Sequence, residues 1–209
     1  MAEIKRRSPS AGDLRPIGSV AALAREYDAA GAVALSCLTD AAHFGARPGD
    51  LPEARAACRL PVLRKDFIVD RRQLVESRQM GADAILLIVR ILAPAALRDL
   101  LAAAAELGLA ALVEAHDAAE VEQAVAAGAA IVGVNSRDLA TGAVALERVL
   151  PLRSLIPADR LAVAESGVRS AADVRALASA GFDAALVGTA LLRSSRPGAM
   201  LAELRGEQP

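Results

Sequence analysis

A (β/α)8 barrel, the TIM-barrel class of α/β fold, is what this 209-residue sequence predicts, and three observations predict it. Eight short runs of β-favouring residues alternate with helical patterns, with no linker or shift in composition, so 1–209 reads as a single domain. The segments "MGADAILLI", "AGAAIVGV" and "AGFDAALVG" repeat one junction, in which a helix ends at Gly81, Gly128 or Gly181 and a strand begins. Glycine adopts the left-handed conformation of a helix end without steric cost. The strands that follow are continuously apolar, as suits parallel strands covered on both faces. The alternative is a doubly wound open sheet, which usually carries a glycine-rich nucleotide loop after its first strand. Here "RRSPSAGDLRPIG" follows instead.

In chain order, strands are expected at 2–5, 32–36, 61–65, 84–88, 110–114, 131–135, 161–165 and 184–187. Between them, "SVAALAREYDAAG", "RRQLVESRQMG", "PAALRDLLAAAAELG", "DAAEVEQAVAAG" and "SAADVRALASAG" place apolar residues at helical spacing. Pro94 fits a first helical turn, and Asp117 and Ser170 fit N-caps.

The chain is 54% hydrophobic, enough for a sizeable core, yet has one Tyr, three Phe and no Trp. Its apolar runs are too short for a membrane span. The N-terminal "MAEIKRRSPS" has no apolar signal-peptide centre, which predicts a cytoplasmic protein. Lys plus Arg number 24 against 25 Asp plus Glu, so charge gives no general case for nucleic acid or for an acidic membrane. Cys37 and Cys58 lack metal-like spacing and read as two reduced thiols.

Strand side chains alternate, so residues two apart share a face. Stepping back by two from each strand end pairs Glu3 with Lys5, Leu63 with Lys65, Leu112 with Glu114, Gly133 with Asn135 and Val163 with Glu165. The intervening Val113, Val132, Val134 and Ala164 suit packing against helices. Glu3, Lys5, Lys65, Glu114, Asn135 and Glu165 are therefore expected to converge on the C-terminal rim, the catalytic face of such barrels. Burying so many charges is costly unless they pair or bind something. A ring of ion pairs that merely closes the barrel mouth is one reading. A site with acids and amines that donate and remove protons is the other.

"ESGVRS" follows the seventh strand and "VGTALL" the eighth, each placing a glycine and a hydroxyl at a strand-to-helix turn. Unpaired backbone N–H groups at such turns favour anions, and barrels often hold phosphate there. Phe44 and Phe67 follow neighbouring strands and could line an apolar pocket for a flat ligand. His43 and His116 lack paired spacing and read as surface or supporting residues, not metal ligands.

Taken in order, "AEIKRRSPSAG", "ALSCLTDAAHFG", "PVLRKDFIVD", "GADAILLI", "LVEAHD", "VGVNSRDLAT", "AESGV" and "LVGTALL" resemble the indole-3-glycerol-phosphate synthase family of tryptophan biosynthesis, from Ala2 to Leu192. The resemblance implies a (β/α)8 carboxy-lyase that converts 1-(2-carboxyphenylamino)-1-deoxyribulose 5-phosphate to indole-3-glycerol phosphate, with loss of carbon dioxide and water. It implies no metal and no organic cofactor, and a small phosphorylated substrate as partner. Matched by motif, Lys65 resembles the general acid for ring closure and Glu114 the carboxylate of dehydration. Glu3 and Lys5 resemble first-strand site residues, Lys5 also reaching towards phosphate. Asn135, Arg137 and Glu165 with Ser166 resemble substrate-positioning groups. Ser166, Gly167, Gly188 and Thr189 would hold the phosphate, and Ser8, Pro9, Phe44, Phe67, Leu86, Leu139 and Leu186 the rest of the substrate.

Two departures accompany the match. Family members usually carry a few tens of largely helical residues before "AEIKR", where Met1 stands here. The expectation is thus a shortened member whose barrel mouth is covered by a partner or a missing segment, or a paralogue that binds a phosphorylated ligand with little turnover or acts on a related substrate. The other departure is "NSRDL" in place of the commoner "NNRDL", with Asn135 and Arg137 kept.

Overall fold

The computed structural model describes residues 1–8, 12–13, 17–138 and 141–206, with all side chains among them except those of Ser8 and Asp13. Eight strands pair in parallel in chain order: β1 (Ala2–Ile4), β2 (Leu35–Leu38), β3 (Val62–Lys65), β4 (Ala84–Ile88), β5 (Ala110–Ala115), β6 (Ile131–Asn135), β7 (Leu161–Glu165) and β8 (Ala184–Leu186). The ring closes where Ala2 bridges Val187 in parallel. There the Glu3 N–H donates to the Val187 carbonyl at 2.9 Å and the Val187 N–H to the Met1 carbonyl at 3.0 Å. The expected (β/α)8 barrel is the observed fold.

Helices cover the outside: α1 (Val20–Ala29), α2 (Ala41–Phe44), α3 (Asp50–Ala57), α4 (Arg71–Met80), α5 (Pro94–Glu106), α6 (Ala118–Ala126), α7 (Ala171–Ser179), α8 (Thr189–Arg193) and α9 (Pro197–Leu204). Their ends follow the sequence signals. The Asp117 side chain accepts the Glu120 N–H, the Ser170 side chain accepts the Asp173 N–H, and Pro94 opens α5. Gly81 after α4 has φ 87°, a conformation in which any other residue would be strained.

Two local differences have physical reasons. The second strand starts at Leu35 rather than Ala32. The Ala32 N–H is still tied to the Tyr27 carbonyl at the end of α1, and Val33 stays exposed, so pairing starts only where the Leu35 N–H reaches the Pro61 carbonyl at 2.8 Å. Between β6 and β7, short 3-10 turns at Leu146–Arg148 and Leu150–Leu155 replace an α-helix, the second with Pro151 in its first turn. Among the described residues no helix is long and apolar enough to cross a membrane.

The strand parity divides the core. Val113, Val132, Val134 and Ala164 join the outer layer, packed with helix residues such as Leu97, Val121 and Leu177. Leu63, Leu86, Ile88, Leu112, Val163 and Leu186 form a separate cluster inside the barrel. This plug fills the interior, so charges on the same parity nearer the strand ends lie on an apolar floor.

Candidate active site

Lys65 closes β3 on the inward parity. Its ammonium lies 3.2 Å from Glu114 Oε2 on β5 and makes a shorter contact with Glu165 Oε2 at the end of β7. The three side chains are 14%, 6% and 1% exposed respectively, so the cluster is nearly dry. A second pair stands at the start of the ring, where Lys5 Nζ is 2.5 Å from Glu3 Oε1. All five charges fall on the face that alternation assigned them.

Two glycines make room for this cluster. A Cβ at Gly133 would sit 2.2 Å from Glu165 Oε1 and 3.1 Å from Leu112 Cδ1. One at Gly188 would sit 2.1 Å from Glu3 Oε1. Gly133→Ala is therefore expected to push the Glu165 carboxylate off Lys65 while the fold persists, because the obstacle is a side-chain tip and not backbone. The expected result is a loss of about 10²-fold in kcat, the scale of a misplaced acid–base group, with the thermal midpoint nearly kept. Steady-state kinetics beside a melt checks it.

The charges set one another's protonation. Burial opposes the Lys65 ammonium, but Glu165, Glu114 and Glu3 outweigh it and raise its pKa. Burial also opposes the Glu114 anion, yet Lys65 and His116 hold that carboxyl well below the usual range. For Glu165, burial together with the charge of Glu114 outweighs Lys65, and its pKa rises to about 8. Its Oε1 is buried without a hydrogen-bond partner. One ammonium thus neutralises one carboxylate and leaves the other carboxyl protonated near neutrality.

The segment that carries Lys65 is braced from outside the barrel. Arg64 is 5% exposed and donates to the Gln73 carbonyl and Ser77 Oγ on α4, to Thr39 Oγ1 after β2 and to Asp66 Oδ2 after β3, at 3.0–3.1 Å. Gln73 Nε2 donates to the Phe67 carbonyl at 2.9 Å, and its Oε1 accepts the N–H groups of Val69 and Asp70. The buried guanidinium thus ties the end of β3 to α4 and to the loop after β2.

Phe67, 40% exposed, meets Phe44 with ring centroids 6.4 Å apart, so the two expected aromatics do come together. His43 adds an edge-on contact to Phe67 at 5.7 Å, a role not visible in the sequence. His116 is half-buried, with a side chain only 4% exposed that lies between Glu114 and Glu120, the supporting position rather than the surface one. Leu86 and Leu186 belong to the inner apolar cluster, beside Ile88, which pairs in register with Glu114 and was not singled out from sequence.

At the β7 end, Ser166 and Gly167 both take positive φ, 64° and 85°. For serine that conformation is strained, and such strain gathers at ligand-binding turns. Ser136 is buried under this turn, its Oγ 3.0 Å from where a Gly167 Cβ would be. β8 pairs with β7 at Leu186 and Glu165, which brings the Gly188–Thr189 turn alongside. Since Glu3 Oε1 lies against Gly188, the Lys5 ammonium beside that oxygen flanks the same turn. The Asn135 side chain accepts the Arg137 N–H at 3.0 Å, and Arg137 Nη1 donates to the Gly142 carbonyl, so both fold onto their own loop. Ser8 pairs with Gly12 in a short antiparallel ladder, Arg7–Ser8 against Gly12–Asp13. Pro9 and Leu139, both expected at the substrate, lie outside the described residues.

Acid–base groups at the C-terminal rim of a (β/α)8 barrel, next to two glycine turns, define a barrel of the enzyme class. The family model of indole-3-glycerol phosphate synthase matches residues 1–204, and the chain belongs to that family. It is 51% identical over 206 residues to "Indole-3-glycerol phosphate synthase 2" of Streptomyces coelicolor, a match that covers 99% of this chain and 80% of that protein. It is 48% identical over 204 residues to the indole-3-glycerol phosphate synthase of Burkholderia vietnamiensis, covering 98% and 78%. Among solved structures, a 3-hexulose-6-phosphate synthase superposes with a TM-score of 0.77 at 18% identity, covering 100% of this chain and 98% of that one. A thiamine phosphate pyrophosphorylase from Pyrococcus furiosus does so at 0.72 and 17%, covering 98% and 92%. These two likenesses concern the fold alone.

Proposed function

We propose that this chain closes the indole ring of 1-(2-carboxyphenylamino)-1-deoxyribulose 5-phosphate to give indole-3-glycerol phosphate, as a cytoplasmic carboxy-lyase of tryptophan biosynthesis. The observation that carries the residue roles is the Lys65 ammonium held between Glu114 and Glu165 on the barrel rim. Attack of the ring carbon on the ketose carbonyl puts negative charge on its oxygen. Lys65 stabilises that oxygen and gives it a proton. The substrate carboxylate then leaves as carbon dioxide and the ring regains aromaticity. Dehydration follows: the new hydroxyl leaves with a proton as water, and Glu114 takes a proton from the carbon next to nitrogen. Glu114 suits this role because it is kept anionic. Glu165, protonated near neutrality, suits hydrogen-bond donation to the hydroxyl.

The Ser166–Gly167 and Gly188–Thr189 turns with Lys5 would hold the phosphate, and Phe44 and Phe67 would meet the anthranilate ring at the opposite side of the mouth. Fixing both ends of the substrate brings the two reacting carbons together. Asn135 and Arg137 would position the substrate from the β6 loop.

The test is turnover of that substrate, followed by the indole chromophore across pH. Indole-3-glycerol phosphate should form, and kcat/KM should fall as pH rises through about 8, where Glu165 loses its proton. A second anion there competes with substrate for Lys65. Glu165→Gln, which cannot ionise, should lack that limb. Binding of the phosphate ester without product at high protein concentration would count against the lyase reading.

A further inference from the structure

The reaction consumes a proton. Ring closure adds one to the ketose oxygen, and carbon dioxide, not a proton, leaves the ring carbon. Dehydration adds one proton to the departing hydroxyl and removes one from carbon, for no net change. Each turnover therefore draws one proton from the protein, and the groups that supply it are largely buried, Lys65 at 14% and Glu114 at 6% exposed.

One side-chain chain leads out from them. Glu114 Oε1 lies 3.3 Å from His116 Nε2, as an ionic contact rather than an aligned hydrogen bond. His116 Nδ1 lies 3.1 Å from Glu120 Oε2. Glu120 reaches the surface and is held in place there. Its Oε2 accepts the His116 backbone N–H at 2.8 Å, and its Oε1 accepts from Arg90 Nε at 2.6 Å. Arg90 also contacts Asp117 at 3.4 Å. The charged groups facing the imidazole are thus Glu114 on β5 and Glu120 on α6, with Lys65 and Arg90 behind them. A histidine bracketed at both nitrogens by carboxylates, one catalytic and one at the surface, is built to pass a proton through.

We propose that His116 carries protons from the surface carboxylate Glu120 to Glu114, replacing the one each turnover consumes. The inference rests on the lyase reading and on the role of Glu114 within it. In the transfer, the neutral imidazole carries its hydrogen on Nε2: an Nδ1–H bond forms with a proton from the Glu120 carboxyl as the Nε2–H bond breaks and an O–H bond forms on Glu114. Glu114 Oε2 passes a proton to the Lys65 amine 3.2 Å away and is an anion again, and the imidazole returns to its Nε2–H tautomer before the next turnover. Burial opposes the imidazolium, but the two carboxylates outweigh it and raise the pKa, which favours uptake of a proton by the ring.

The test compares His116→Gln, His116→Ala and Glu114→Gln with the wild-type enzyme. His116→Gln keeps hydrogen bonding but cannot shuttle a proton. It should lose about 10- to 100-fold in kcat, below the full effect of a direct acid–base group, with KM within about 2-fold and a larger solvent isotope effect on kcat. His116→Ala should be restored in part by imidazole in the buffer, and progressively by substituted imidazoles of rising acidity. A slow His116→Gln with an unchanged isotope effect, or a folded His116→Ala that imidazole does not rescue, would show a purely structural role and overturn the relay. Wild-type kcat in His116→Gln beside a slow Glu114→Gln would overturn it too. Wild-type kcat in Glu114→Gln would instead remove the reading beneath it.

Discussion

Replacing Lys65 with alanine is expected to lower kcat for indole formation by about 10³- to 10⁴-fold, the range in which a general acid and an oxyanion-stabilising charge are lost together. The variant should also stop releasing carbon dioxide, because ring closure precedes decarboxylation. KM should change little if the phosphate turns and Lys5 carry binding. The fold should survive at a cost. Glu114 and Glu165 would face each other without their cation, and an uncompensated buried charge costs about 3–5 kcal/mol. Sharing one proton between the two carboxyls reduces that figure. The raised pKa of Lys65 fixes the sign: its contribution is present at all pH below the unfolded lysine value of about 10.4 and is lost only above it. The thermal midpoint should therefore drop at neutral pH, which melts of the variant beside the parent check.

Glu114→Gln should produce the second largest loss, about 10²- to 10³-fold in kcat, since glutamine keeps the shape but cannot take a proton. The loss should fall on dehydration, with carbon dioxide release affected far less. The Glu114 carboxyl is depressed in the folded protein by Lys65 and His116 against the effect of burial. Its stabilising contribution is thus present above the unfolded glutamate value of about 4.3 and fades as pH falls towards the folded one. The variant should be less stable than the parent at pH 7 and converge with it in acid. Thermal melts at several pH values, beside rapid-quench kinetics, check both parts.

Much of this site was legible in the sequence because strand alternation is a local rule. Once Lys65, Glu114 and Glu165 ended apolar strands, their common inward face followed, and the structure brings them within contact of one another. The helix ends were legible for the same reason, since Asp117, Ser170 and Gly81 act within one turn of their own positions. What escaped depends on neighbours far along the chain. Gly133 matters because Glu165 lies across from it, and Arg64 because β3 packs on α4. The His116 side chain is covered where Glu114 and Glu120 bracket it, which its spacing alone did not suggest. The second strand starts three residues after its apolar run does, because pairing begins only where the Leu35 N–H reaches the Pro61 carbonyl.

The central claim is that Lys65 serves ring closure and Glu114 serves dehydration at one rim. A single-turnover experiment tests it most directly, with substrate carrying label in the carboxyl group and with carbon dioxide and indole followed together. In Glu114→Gln, labelled carbon dioxide should appear well before indole, while a decarboxylated, undehydrated intermediate accumulates; in Lys65→Ala neither should appear. Carbon dioxide release at the wild-type rate in Lys65→Ala, or equal slowing of both products in Glu114→Gln, would contradict it.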